Sequence, residues 1–397
     1  MNAATEPGSV GVVRTEFLDL PGSLPLDCGR ELSGVRVAYE TYGTLAPERD
    51  NVVLVCHALS GDAHAAGWSA DDAPTALDGI GADERGVRPK GGLGWWDGMI
   101  GPGKPFDTDR YFVVSTNLLG GCRGTTGPAS TDPETGRPYG SRFPVITIAD
   151  MVRTQRAFLD ALGIGRLVCV AGASMGGMQA LQWTIDHPDD VDLCLGIATT
   201  AHLDARGLAL NAVARNAITT DPDWQGGDFY GTGRVPDRGM AVARQVGHIT
   251  YLSRHAFREK FGRRLQDRDA ISFDLGEADF AVESYLRYQG QRFVERFDAN
   301  TYLLMSRALT YFDLQLPDAF AGARAAYTLL SFSSDFMYPP SDSEELAAAL
   351  RAAGREVEHV CLETTYGHDS FLLEEEAQAP YIATALDRAL IRSRAGV

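Results

Sequence analysis

Gly172-Ala173-Ser174-Met175-Gly176 is the stretch whose reading decides the fold. Leu167-Val168-Cys169-Val170-Ala171 runs into it, a short apolar run of strand formers. Met178-Gln179-Ala180-Leu181-Gln182-Trp183 runs out of it with the spacing of a buried helix. Strand, G-x-S-x-G and helix together form a nucleophile elbow. The turn forces the serine into a strained conformation, and a side chain at either flanking glycine would collide with the crossing strand or helix. The hydroxyl then stands clear above a helix N-terminus, whose free N–H groups and partial positive charge favour an oxyanion. An incidental serine in a Gly-rich turn is the plainer alternative, and the strand and helix on either side weigh against it.

Upstream, Val35 to Tyr42 alternates as a half-exposed strand, whereas Asn51 to His57 is uniformly apolar, as a central parallel strand would be. The latter ends in His57-Ala58-Leu59-Ser60-Gly61. His57 is expected to brace that turn rather than act as a base. Residues 62–108 form a long Gly-rich stretch whose paired tryptophans, Trp95 and Trp96, argue for order. Tyr111 to Asn117 is a further strand, followed by a second Gly-rich loop from Gly120 to Pro128, expected on the oxyanion side. Thr147-x-x-Asp150 reads as a capping box opening a helix that Gly163 closes. Residues 1–30 read as a loose arm.

After the strand Val191 to Thr200 the pattern changes, and helical, charge-rich segments replace the alternation of strand and helix up to about Phe312. His248 and His255 in this region could share a helix face, but no acidic or Cys partner has metal-ligand spacing, so surface or packing histidines are expected. Ala326 to Phe332 returns to a core strand, with Ser333-Ser334-Asp335 after it. Ser341-x-x-Glu344 is expected to cap the next helix, Glu356 to Leu362 forms the last strand, and Tyr366-Gly367-His368-Asp369 lies just beyond it.

A chain of 397 residues with 44% hydrophobic residues can bury a large core. Its net charge of −17 argues against nucleic acid and anionic membranes as partners, though not against a polyanionic cosubstrate at a locally basic mouth. No leader or bilayer-length apolar run is visible, and six scattered cysteines without C-x-x-C spacing suit a reducing cytoplasm. Cys56, Cys169, Cys194 and Cys361 are expected to be buried free thiols.

Ser174, Asp335 and His368 follow the chain order of α/β-hydrolase triads, each directly after a strand, so all three converge on one sheet edge. A serine hydroxyl needs a base, neutral imidazole supplies one near pH 7, and a carboxylate holds the imidazole tautomer. Asp342, at a helix start, and Asp369, adjacent to the histidine, are rival acids. In this fold the backbone N–H groups of Leu59 and Met175 would form the oxyanion hole. The fold class is therefore α/β-hydrolase, a mostly parallel sheet flanked by helices. Residues 1–200 and 313–397 form the core and 201–312 an inserted helical lid.

With these pieces assembled, the sequence resembles the homoserine O-acetyltransferase family of methionine biosynthesis. The resemblance rests on His57-Ala58-Leu59-Ser60-Gly61-Asp62, the block from Gly94-Trp95-Trp96-Asp97 to Lys104-Pro105, Leu119 to Pro128, Ser174-Met175-Gly176-Gly177-Met178-Gln179 and Tyr366 to Asp369. It implies acetyl-CoA as cosubstrate, L-homoserine as acceptor, an acyl-serine intermediate and no resident cofactor or metal. It also implies Arg244 as the ligand of the homoserine carboxylate and Asp369 as that of its ammonium, in a cytoplasmic homodimer. A planar guanidinium suits a carboxylate, and a buried carboxylate suits an α-ammonium. A salt bridge within the lid is the alternative for Arg244. Two features depart from the family pattern: Ala173 where glycine is frequent, and a longer segment between Gly61 and Trp95 carrying Asp83-Glu84-Arg85 and Arg88. Succinyl transfer, serine as acceptor, a carboxylesterase and a non-catalytic binding protein of the same fold are the competing readings.

Overall fold

A computed structural model describes residues 7–70, 92–316 and 318–395. Eight strands build the main sheet: β1 (Glu16–Asp19), β2 (Arg36–Tyr42), β3 (Val52–Cys56), β4 (Phe112–Thr116), β5 (Leu167–Ala173), β6 (Val191–Ile197), β7 (Ala326–Phe332) and β8 (Val357–Leu362). Their spatial order is β8-β7-β6-β5-β3-β4-β2-β1. Neighbours from β8 through β4 are parallel, and β2 pairs antiparallel with both β4 and β1 at one edge. The uniformly apolar strands β3 and β5 are buried along their whole length and lie side by side, Gly172 opposite Cys56.

Alternation along β3 feeds two cores. Val52, Leu54 and Cys56 pack with helices α1 (Ile148–Ala161) and α2 (Met175–Asp186), while Val53 and Val55 face α10 (Glu375–Ala395) on the other side. The capping box forms as expected: Thr147 accepts from the Asp150 N–H, and the Asp150 carboxylate accepts from the Thr147 N–H. Between β6 and β7 the chain passes through α3 (Ala205–Thr219), α4 (Asp237–Tyr251), α5 (Arg254–Lys260), α6 (Ala281–Val294) and α7 (Ala299–Tyr311). Ala214, Ile218, Phe229, Met240, Ala243, Phe293 and Tyr302 give this insert a cluster of its own. The α/β pattern then resumes with β7, α8 (Pro340–Ala352), β8 and the short α9 (Ser370–Leu373) that precedes α10.

Several local expectations need correction. The described part of the N-terminal arm, from residue 7 on, is not loose: β1 pairs with β2, and Leu20, Leu24 and Leu26 are buried in the core. Ser341 caps nothing, because α8 begins at Pro340 after Pro339 and the proline ring presets the first helical φ. Cys361 is exposed, since β8 is a sheet edge, and Cys28 is exposed as well. His248 and His255 lie on different helices, α4 and α5. Of the long stretch after Gly61 the structure describes residues 62–70 and 92–108; Asp83, Glu84, Arg85 and Arg88 lie outside the described residues.

The tryptophan block earns its order by packing. Trp96 is fully buried and its Nε1 donates to Phe371 O at 3.3 Å, while Trp95 Nε1 donates to Asp62 O at 3.0 Å. A Cβ on Gly94 would lie 2.2 Å from Ala66 N, so only glycine fits between the block and the chain leaving β3.

Candidate active site

The elbow is built as its glycines predict. Ser174 has φ 58° and ψ −122°, a strained pair for a residue with a side chain. A Cβ on Gly172 would sit 2.2 Å from the backbone of Gly176, and one on Gly176 would sit 2.0 Å from Cys56 O. Neighbours over-determine the strain. The Ser174 N–H donates to Ile197 O at 2.9 Å, and its carbonyl accepts from the Thr199 hydroxyl at 2.9 Å and the Gly177 N–H at 3.0 Å.

Three loops at the carboxyl ends of parallel strands then meet. His368 Nε2 lies 3.0 Å from Ser174 Oγ, and His368 Nδ1 lies 2.7 Å from Asp335 Oδ2. The other Asp335 oxygen accepts from the N–H groups of Met337 (2.8 Å) and Tyr338 (3.0 Å), which aims the carboxylate. Asp335 thus meets the imidazole, whereas Asp342 sits at the start of α8 with burial raising its pKa and Thr200 opposing. His368 is wholly buried, and burial alone would lower its pKa. The Asp335 charge and hydrogen bond, with a contribution from Asp369, outweigh that and raise it. Gly367 (φ 77°) is required next to the histidine, because a Cβ there would lie 2.5 Å from Tyr251 O at the end of α4.

Ser174 and His368 open into a cleft of about 1100 Å³, solvent at its mouth included, that also contains Leu59, Arg244, Tyr251 and Asp369. Gly61 N–H donates to Ala58 O at 2.9 Å, closing a turn with Leu59 and Ser60 at its centre, on the cleft wall. Met175 contributes no side chain to the cleft; its N–H is the first of α2, where a helix has no partner of its own to offer. His57 braces the turn from below, its Nδ1 2.7 Å from Ala58 O and its Nε2 3.1 Å from Asn117 Oδ1, and burial lowers its pKa.

Arg244, on α4, is 3% exposed. Its guanidinium lies 4.7 Å from the Phe293 ring centroid and 5.5 Å from that of Tyr251, so aromatic rings surround it rather than a lid carboxylate. Burial raises the pKa of Asp369, although the charges of His368 and Arg244 both oppose the rise. The loop from Gly120 to Pro128 follows β4 at the same sheet edge, but none of its residues lines the cleft. Its threonines accept from β2 amides (Thr125 from Ala38, Thr126 from Arg36), and Gly120 O accepts from Thr301 Oγ1 of α7 at 3.0 Å. Tyr302 and Tyr338, which also line the cleft, carry no sequence signal that separates them from core aromatics. Among the described residues no group of three His, Cys, Asp or Glu could hold a metal ion, and no helix is long and apolar enough to cross a membrane.

A serine, imidazole and carboxylate in hydrogen-bonded series at this edge of a parallel sheet define an α/β-hydrolase-fold protein, and a family model described as the alpha/beta hydrolase fold matches residues 51–375. The chain is 49% identical to a homoserine O-acetyltransferase of Methanosalsum zhilinae, over 92% of this chain and 71% of that relative. It is also 49% identical to a homoserine O-succinyltransferase of Pseudomonas fluorescens, over 94% of this chain and 95% of the relative. The crystal structure of a homoserine O-acetyltransferase from Bacillus anthracis superposes with a TM-score of 0.83 at 28% identity, covering 94% of this chain and 98% of that one. This chain belongs to the homoserine O-acetyltransferase family.

Proposed function

We propose that the chain transfers an acetyl group from acetyl-CoA to the γ-hydroxyl of L-homoserine through an acetyl-Ser174 intermediate. The observation that carries the chemistry is the 3.0 Å contact between Ser174 Oγ and His368 Nε2, backed by Asp335. His368 accepts the Ser174 proton as Oγ attacks the thioester carbonyl, and the oxyanion rests on the Leu59 and Met175 N–H groups. The carbon–sulfur bond breaks, the thiolate takes the proton from His368, and CoA leaves. His368 then accepts the proton of the homoserine hydroxyl, which attacks the acetyl-serine. Collapse returns the proton to Ser174 Oγ and releases O-acetyl-L-homoserine. Asp335 stays ionised throughout and stabilises the imidazolium.

Arg244 binds the homoserine carboxylate and Asp369 its ammonium in this reading. Both lie in the cleft with Ser174, and a buried carboxylate with a raised pKa gains most from an incoming cation. The insert 201–312 serves as a lid, and the enzyme works as a cytoplasmic homodimer without resident cofactor or metal. Succinyl-CoA is the second donor to consider, because a succinyltransferase relative is as similar in sequence as an acetyltransferase one. Thiol release decides among donors and acceptors: acetyl-CoA and succinyl-CoA are each offered with homoserine, with serine and alone. Release must be fastest with acetyl-CoA and homoserine. Equal release without acceptor would make the protein an esterase.

A further inference from the structure

The turn from Ala58 to Gly61 is gripped from two sides. From the sheet, His57 supports it so closely that a Cβ on Gly61 would lie 2.7 Å from His57 Cβ. From the helical insert, Arg296 Nη1 donates to Ser60 O at 3.2 Å, joining residues 236 apart in sequence. Arg296 follows α6, is 8% exposed, and lies 5.2 Å over the Phe293 ring. Its Nε and Nη2 are buried without a hydrogen-bond partner among the described residues. Burial and the like charges of Arg244 and Arg123 pull its pKa down to about 9 against the attraction of Asp62, so it remains cationic at neutral pH.

A buried cation with two unsatisfied N–H groups is a poor brace for stability alone, since an apolar side chain would pack there at lower cost. Its hydrogen bond goes to the carbonyl of Ser60, the residue after Leu59, whose N–H is the proposed oxyanion donor. Cleft residues include Ser60 and Arg244 but not Arg296, which argues against direct contact with an acceptor. We infer that Arg296 is a positioning residue: by holding the Ser60 carbonyl it aims the Leu59 N–H at the oxyanion, and so couples the insert to both acyl-transfer steps. The inference rests on the reading of Ser174 as nucleophile and Leu59 as oxyanion donor.

Arg296→Met is the test, with Arg296→Lys beside it. A fluorophosphonate labels an activated serine and places its phosphoryl oxygen in the oxyanion hole, with no thioester or amino acid involved. The parent should label on Ser174; failure to do so would sink the nucleophile reading itself. Arg296→Met should label about 10- to 100-fold more slowly, a milder loss than deleting an oxyanion donor outright, while melting within a few degrees of the parent. Both half-reactions with acetyl-CoA and homoserine should slow by the same factor, and KM for homoserine should move by less than about threefold. Arg296→Lys should fall between the two, since an ammonium can reach the carbonyl without the planar fork. Labelling at the parental rate, or a loss confined to the homoserine step, overturns the inference. Should Arg296→Met fail to fold, Arg296→Gln, which cannot carry the charge, is judged by the same numbers, parental labelling counting against.

Discussion

Ser174 holds a backbone conformation that most side chains avoid, and the three groups around it hold the polar atoms in register. Ser174→Gly should therefore gain about 1 kcal/mol of stability in a melting experiment while losing all acylation, whereas Ser174→Ala keeps the positive φ and gains nothing. The histidine sets the pH profile. Protonated His368 cannot accept a proton, and its pKa is raised, so the acid limb of kcat/KM should lie above the ordinary imidazole value of about 6.5. Asp335→Asn removes the main support for that rise; the limb should move down, and the rate should fall about 10⁴-fold as the imidazole loses its tautomer. Asp369 works in the opposite sense. Burial raises its pKa in the folded state, so the unfolded chain ionises first and stability is lost as pH climbs from the unfolded toward the folded value. Asp369→Asn should accordingly melt higher than the parent at neutral pH yet use homoserine poorly. A lower melting temperature would show that the carboxylate is structural.

The elbow shows how tightly elements depend on single residues. Gly176→Ala would place a Cβ 2.0 Å from the Cys56 carbonyl at the junction of β3, β5 and α2, where no flexible side chain can yield. Insoluble expression or a loss of several kcal/mol is expected in denaturant unfolding; a parent-like midpoint would mean that the junction can open. These central elements were legible because strands buried on both faces read as unbroken apolar runs, with Ser174 directly after β5 and Asp335 shortly after β7, whereas His368 follows the half-exposed edge strand β8. Edges were not. Glu16-Phe17-Leu18-Asp19 makes a four-residue edge strand with almost no buried side chain, so β1 left no periodic signal. Cys361 sits on the opposite edge, where an apolar neighbourhood in sequence still faces solvent. Arg296 is illegible for a different reason. One cation in a charge-rich helical segment looks like any solvated face until the fold brings it to a turn 236 residues away.

Across the molecule, the proposed mechanism has the two substrates meet different parts of the chain. In the proposed reaction, acylation draws on Ser174, His368, Asp335 and the turn after β3, which Arg296 of the insert holds, while Arg244, the proposed acceptor ligand, reaches the cleft from α4. Arg244→Ala should for that reason spare acylation of Ser174 by acetyl-CoA, because that half-reaction never meets the amino acid. Transfer to homoserine should weaken by about 2–5 kcal/mol, the usual cost of truncating one partner of a buried charged pair. Arg244→Lys should recover only part, since a point charge cannot reproduce a planar fork packed between two rings. Homoserine lactone and amino alcohols supply the contrast. Lacking a free carboxylate, they should be poor acceptors for the parent and lose far less than homoserine in Arg244→Ala. If lactone and homoserine lose equally, Arg244 shapes the insert through Phe293 and Tyr251 instead of gripping the acceptor, and the division of labour between sheet and insert fails with it.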